Sequence, residues 1–380
     1  MKKKKVVVIV GLSAKALAVC RLMRQSGWEV YCLYTDREDY GEFRYSRAIN
    51  HIKKMDDDYN VIANEIRVIH NANKDCKFKI ILTTSAHLAQ LRENMPYLWK
   101  EYHISSGPIE ALNIVANKHK FYEFCKANGI PTVPNVVFPQ YEPGCLKFPI
   151  VVKHNVESVI IKEKCKIIDS EDALRIFVSG VPNEIRNHLV LQEYIDKDFI
   201  EIDYRGYIEN GCVIGRSIVE SLRMKPIGVS SYLEEITDKG ILNVVDKTAN
   251  KIFEKLHYSG FVGMDIKYRK TDGMFYILDF NPRAPGSFSE WVMKYDKKDL
   301  IKLFSSDYPV NILIPKRQNI RWVNLIRDLR ARKEQGDWKG LYKSFTAKYD
   351  VWDIKDPLPF LLMWPYMIFR WLMNKKTDNN

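Results

Sequence analysis

A mixed α/β protein is expected, with a unit of alternating strands and helices ahead of a longer α+β part. Three stretches predict this. Val6–Val10 is an unbroken β-branched run, the mark of a parallel strand covered on both faces. Ile200–Ile208 and Val213–Glu220 flank Glu209-Asn210-Gly211, and an Asn-Gly turn between apolar runs signals an antiparallel hairpin. Phe261 to Ser287 holds two further β-rich runs around Lys270-Thr271-Asp272-Gly273.

The elements follow in order. Gly11-Leu12-Ser13 turns the first strand into a helix from Ala14 to Ser26, ended by Gly27, and Glu29–Tyr34 is the next strand. This strand-turn-helix-strand unit is Rossmann-like. Only Gly11 of the GxGxxG pattern is present, so a dinucleotide site is weakly supported. Ile80-Ile81-Leu82 is another buried strand, and Thr83, Thr84 and Ser85 after it read as helix caps before they read as substrate contacts. Ala111–Asn128 reads as one helix, Phe148–Val152 as a strand ending at Lys153, and Ser170 to Val178 as a helix. Val244–His257 is an amphipathic helix, and Ile320–Lys333 an arginine-rich one.

The hairpin between Phe261 and Ser287 carries acids where a core strand should be apolar. Asp265 lies in its first strand and Asp279 in its second, with Asn281 two residues on and therefore on the same face. Buried acids cost several kcal/mol unless something cationic neutralises them. Oxygen ligands gathered on one face suit Mg²⁺, which keeps few protein ligands and takes the rest from phosphates and water. The reading needs Asp265 opposite Asp279. A two-residue turn would pair Asp265 with Phe280, whereas a three-residue loop, Thr271 to Gly273 with Gly273 at positive φ, gives the required register.

Composition sets bounds. The 380 residues hold two or three domains; 46% hydrophobic and 28% charged residues are those of a globular protein. The net charge of +12 suits anionic small molecules or an anionic membrane face. No basic stripe interleaved with stacking aromatics is present, so nucleic acid is not an expected partner. The seven cysteines are odd in number and unpatterned, as in a reducing cytosol. Lys2–Lys5 and Val6–Val10 imitate an export signal, but the apolar run is short and ends at Gly11, so a buried strand fits better.

From Val6 to about Pro315 the order of elements resembles the ATP-grasp superfamily, of the carboxylate–amine ligase type. Asn117-Lys118, opening a helix that ends in GIPTVP, looks like the first phosphate lysine, and FPIVVKH like the strand of the second, Lys153. QEYI, which is Gln192, Glu193, Tyr194 and Ile195, looks like the adenine hinge, with Glu201 for the ribose. Asp265 and then Asp279-Phe280-Asn281-Pro282-Arg283 look like the metal block, usually written with glutamates. The resemblance implies ATP with Mg²⁺, or Mn²⁺ in its place, and Arg283 as the residue that stabilises transferring charge. It also implies that Arg223, in SLRMKPIGVSSYLEE, binds a substrate carboxylate. Two departures stand out. The lid loop HNVESVIIKEK has no glycine, leaving Lys162 and Lys164 to substitute, and both metal acids are aspartates.

The implied organisation is a Rossmann-like domain over residues 1–108, an ATP-grasp domain over 109–315 with a small lid at about 130–190, and a basic, apolar C-terminal extension over 316–380. The implied reaction is amide formation through an acyl phosphate, with release of ADP and phosphate. The alternatives are a carbamoyl-phosphate or biotin-carboxylase-like enzyme that activates bicarbonate, and a non-catalytic nucleotide-binding membrane protein. FLLMWPYMIFRWLM, Phe360–Met373, is too short to span a bilayer, is interrupted by Pro365 and is followed by Lys375-Lys376. It reads either as an interfacial helix on the inner membrane face or as a helix packed on the domain or at a homodimer contact. A cytoplasmic enzyme adding an amino acid to a lipid-linked cell-envelope precursor, similar to D-aspartate ligases, would suit the first.

Overall fold

The computed structural model describes residues 3–35, 41–101, 104, 106–156, 165–195, 198–225, 228–303 and 311–366. They form two compact units. One joins Met1–Ser105, Gly286–Asn324 and Lys348–Asn380; the other joins Ser106–Pro285 and Leu325–Ala347.

The chain begins with β1 (Lys5–Val10), α1 (Ala14–Gln25), β2 (Glu29–Tyr34), β3 (His51–Lys54), α2 (Tyr59–Asn71), β4 (Lys77–Leu82), α3 (Ser85–Asn94) and α4 (Leu98–Glu101). The sheet order is β3-β2-β1-β4, all parallel. Val6 to Val10 are buried, as the β-branched run requires. Ser13 caps α1 through the Ala16 amide. Of the polar residues after β4, Thr84 caps α3 through the His87 amide at 3.2 Å, while Thr83 donates its hydroxyl to the Val10 carbonyl at 2.9 Å.

The second unit starts with α5 (Ile109–Val115) and α6 (Lys118–Ala127). The single helix expected here is broken at Asn117, whose extended backbone and side chain cap α6 through the Lys120 amide. A four-stranded antiparallel sheet follows, made of β5 (Asn135–Val137), β6 (Ile150–His154), β7 (Cys165–Ile168) and β8 (Leu189–Glu193) in the order β5-β8-β6-β7. Its core, with Ile150, Val152, Leu189 and Leu191, is covered by α7 (Glu171–Ser179), with α8 (Asn183–Arg186) beside it.

The larger sheet of this unit has β9 (Phe199–Glu209), β10 (Cys212–Met224) and β11 (Ser230–Glu235). The helix α9 (Lys239–Leu256) then leads to β12 (Gly260–Arg269) and β13 (Phe275–Asn281). The order is β13-β12-β9-β10-β11, and every pairing is antiparallel. Asp238 caps α9 through two amides, and the helix buries Ile241, Val245, Ala249, Ile252 and Phe253 at helical spacing. Phe253, Tyr204, Tyr258 and Phe280 meet there with ring centroids 5.1–6.4 Å apart. Alternate residues of β9, β12 and β13 therefore face this core, and the odd-numbered ones between Glu201 and Arg205 face away from it.

The chain continues through α10 (Phe288–Lys294), α11 (Lys297–Leu303) and β14 (Arg321–Val323) in the first unit. It passes to α12 (Leu325–Gln335) and α13 (Leu341–Thr346) in the second, and returns at β15 (Lys348–Tyr349). Residues 321–323, expected to be helical, are a strand that pairs in parallel with β15. The extension drawn as one piece from residue 316 thus serves both units. Its last described stretch is tied to the first unit by Asp356, which accepts from Arg21 Nε at 2.9 Å, Ser46 Oγ at 2.6 Å and the Arg47 amide at 3.0 Å. Among the described residues no helix is long and apolar enough to cross a membrane. All seven cysteines are free thiols.

Gly260 shows how tightly the second unit is built. Its φ is 117°, and a Cβ there would lie 2.9 Å from the Gly107 amide nitrogen and 3.0 Å from the Ser106 carbonyl carbon. Backbone cannot swing aside as a side chain can. Gly260→Ala is expected to lower stability by about 1–3 kcal/mol, read as a reduced urea midpoint with an unchanged slope.

Candidate active site

Strand register builds the site. Asp265 stands opposite Asp203 on one side and Asp279 on the other, so β9, β12 and β13 carry a row of three aspartates. The next row is Arg205, Gly263 and Asn281, and on the other side Lys267 faces Glu201. The pairing of Asp265 with Asp279 is the expected one, but it arises differently. Arg269 and Met274 close a four-residue turn through Arg269 N to Met274 O at 2.8 Å, and a bulge between Asp265 and Ile266 restores the register. Gly273 has φ 72°, as anticipated.

Like charges directly opposite one another across strands destabilise a sheet. Here the outer acids each meet a cation. Lys118 Nζ lies 2.6 Å from Asp279 Oδ2, Arg205 Nη2 lies 2.6 Å from Asp203 Oδ2, and Lys267 Nζ lies 2.6 Å from Glu201 Oε1. Asp265, in the middle, has no ion-pair partner among the described residues. Burial, followed by the charges of Asp203, Asp279 and Glu201, pushes its carboxyl up to about 7, with Lys118 pulling the other way.

Lys118 reaches the row because it opens α6, whose position is fixed at two points. Tyr122 donates its hydroxyl to the Leu278 carbonyl at 2.8 Å. Asn155, just past β6, accepts from the Lys118 amide at 2.9 Å and takes the His119 amide on its side chain at 2.9 Å. Asn155 thereby ties the start of α6 to the end of the strand that carries Lys153. Lys153 Nζ donates to Gln192 Oε1 at 2.6 Å; burial lowers its pKa, while Asp279 and Asp265 lie close enough to act against that. Arg283 donates to Asn281 Oδ1 at 3.1 Å and to the Ala284 carbonyl at 3.3 Å. The structure thus brings together Lys118, Lys153, Asp265, Asp279, Asn281 and Arg283.

The other expected residues are placed as follows. Glu193 accepts the Lys147 amide at 2.9 Å, and the Glu193 and Tyr194 amides bond Pro134 O and Pro149 O, so this stretch ending at Ile195 is held by backbone on both sides. Glu201 is paired with Lys267. Arg223 is stacked 4.3 Å over the Tyr232 ring, with Nε 2.6 Å from Asp328 Oδ1. It already holds a carboxylate from its own chain. Lys162 and Lys164 lie outside the described residues. The sequence reading missed Asp203, Arg205, Lys267 and Asn155. The first two had a signal, because Glu201, Asp203 and Arg205 alternate with buried Ile202 and Tyr204.

Asp265, Asp279 and the Asn281 amide offer hard oxygens, and the crowding around Asp265 is what a cation would relieve. The donor set therefore fits Mg²⁺, which needs only one or two carboxylates besides phosphate oxygens. Among the described residues no three His, Cys, Asp or Glu side chains close on one point.

No family model matches the chain. It is 22% identical over 274 residues to the D-aspartate ligase of Enterococcus faecium, covering 63% of this chain and 62% of that one. It is 23% identical over 201 residues to the carbamoyl-phosphate synthase of Methanobrevibacter smithii, covering 48% of this chain and 50% of that one. The chain thus spans from half to under two thirds of the curated relatives it matches. Among solved structures it is similar to N5-carboxyaminoimidazole synthetase from Staphylococcus aureus complexed with ADP, with a TM-score of 0.63 and 15% identity over 83% of this chain and 81% of that one. The fold is the ATP-grasp fold.

Two outcomes follow. Asp265 has a raised folded pKa, so the folded chain holds a proton that the unfolded chain releases near pH 4. Its contribution to stability is full below that pH and is lost as pH rises through about 7. In EDTA, wild type should lose on the order of 1–3 kcal/mol relative to Asp265→Asn between pH 5 and pH 8, measured by urea unfolding. Separately, Asp328 is fully buried and takes Arg223, Arg332 and Ser344 Oγ, the last at 2.6 Å. Asp328→Ala should cost about 3–5 kcal/mol, because it strands buried guanidinium groups; calorimetry would show the loss.

Proposed function

We propose that this chain is an ATP-dependent, ADP-forming carboxylate–amine ligase. The observation that carries the reading is the convergence of Lys118 and Lys153 on Asp265, Asp279, Asn281 and Arg283. Lys118 and Lys153 would hold the phosphates, Glu193 and the backbone at Tyr194 and Ile195 would take the adenine beside Gln192, and Glu201 the ribose. Mg²⁺ on Asp265, Asp279 and Asn281 would neutralise phosphate charge when bound. Binding would move Lys118 from Asp279 to a phosphate oxygen and free the carboxylate.

The substrate carboxylate attacks the γ-phosphorus and ADP departs, leaving an acyl phosphate. The amine attacks the acyl carbon, phosphate leaves, and the nitrogen loses a proton to give the amide. Arg283, bonded to the Asn281 side chain, would stabilise the charge that develops on the transferring group. For Arg223 to bind a substrate carboxylate it would have to exchange Asp328 for it. The relative that is a D-aspartate ligase supports an amino-acid substrate. A cell-envelope acceptor and a place on the inner membrane face extend the same reading. The carbamoyl-phosphate synthase relative supports a second one, activation of bicarbonate.

Purified protein with ATP, Mg²⁺, pooled amino acids and envelope precursors is expected to release ADP. Release of AMP would remove the acyl-phosphate route, and ADP release that requires only bicarbonate would favour the second reading. Asp279→Ala should reduce turnover by at least about a hundredfold with an unchanged circular-dichroism spectrum. Retained activity would take Asp279 out of the site.

A further inference from the structure

Residues 357–366 read PLPFLLMWPY, without a single charged or amide side chain. The stretch 358–366 is helical in the first unit. One face is accounted for: Phe360 and Met363 pack on the cluster of Leu12, Leu17, Cys32, Tyr34, Phe43 and Val351, and Tyr366 lies against Gly41. The opposite face is apolar as well and is open to solvent. Leu358 is 40% exposed, Leu361 53% and Trp364 36%, with Trp352 at 46% and Ile354 at 80% just before them. A surface helix ordinarily turns polar residues to water, and a contiguous exposed apolar patch marks a contact surface.

We infer that this face lies in the headgroup region of an anionic bilayer. Three observations favour a bilayer over a protein partner. The patch is rich in tryptophan, with tyrosine beside it: Tyr45 is half exposed, its hydroxyl 3.4 Å from that of Tyr366. Such side chains with one apolar and one wet end concentrate at membrane interfaces. Exposed Arg44, Arg47 and Lys355 flank the patch, and Arg370, Lys375 and Lys376 follow in sequence, on a chain of net charge +12. Basic flanks complement anionic lipid and add nothing to an apolar protein contact. The buried Asp356 node, with Arg21, Ser46 and Arg47, anchors the helix base to the domain, so that the outer face is presented by a fixed support. This inference deepens the membrane part of the proposed function but does not depend on the ligase chemistry.

The test is flotation of the full chain with vesicles of phosphatidylcholine alone, or with roughly a third phosphatidylglycerol. Wild type should float with the anionic vesicles, and added salt should weaken the binding. Leu361→Glu combined with Trp364→Glu, and independently Ile354→Glu at the most exposed position, should reduce binding about tenfold or more without shifting thermal unfolding. Equal binding to both vesicle types, or unaltered binding of both variants, would overturn the inference. So would light scattering in which the variants turn a dimer into a monomer while wild type ignores vesicles, since a second copy would then cover the face.

Discussion

The interaction on which the second unit depends is the repulsion along Asp203, Asp265 and Asp279. Three carboxylates in one row on neighbouring strands are unfavourable in any sheet whose only purpose is to fold. The cations answering the two outer ones come from different places. Arg205, for Asp203, belongs to the same strand, whereas Lys118, for Asp279, is brought from the first turn of α6. Three further contacts hold the helix that delivers it: the Asn117 cap where the chain breaks between two helices, the Tyr122 bond to the β13 backbone, and the Asn155 bridge from the α6 start to the end of β6.

Much of this could be read from the sequence, and the failures have physical causes. Strand Glu29–Tyr34 and the hairpin acids were legible because period-two alternation and turn chemistry are local. The Asp265–Asp279 register was right for an incomplete reason. Loop length can be weighed from sequence, but the bulge between Asp265 and Ile266 depends on how β12 also pairs with β9. Asp203 went unnoticed because an alternating charged face on a strand looks like a solvated one until its neighbours are known. The break at Asn117 was masked by helix-forming residues on both sides, and only the cap at Asn117 separates α5 from α6.

The C-terminal part illustrates a different limit. An arginine-rich helix was visible, but not that Arg332 is buried and donates to Asp328, to Ser344 and to the carbonyls of Asp337 and Lys339. Buried guanidinium groups need several acceptors at once, and here they come from the preceding helical turn, the loop after α12 and Ser344 of α13. Arg223 belongs to the same network, which makes it an organiser of the β10–α12 contact. Its resemblance to a substrate-binding arginine came from its segment, and the segment says nothing about Asp328.

The charges around the acid row also narrow what the face can accept. A bare divalent ion would satisfy Asp265 but would compete with Lys118 for Asp279 and crowd a lysine already disfavoured by burial, Lys153. A bare polyphosphate would satisfy the lysines but would come up against Asp203, Asp279 and Asp265, the last with its carboxyl pushed up to about 7 by burial first and by its acidic neighbours second. A ligand that carries both charges would resolve the conflict: Lys118 and Lys153 would hold its anionic end, and Asp265, Asp279 and Asn281 would hold its cation, with Arg283 beside Asn281. On the proposed reading, these mutually frustrated charges would favour a metal–nucleotide complex over either component alone.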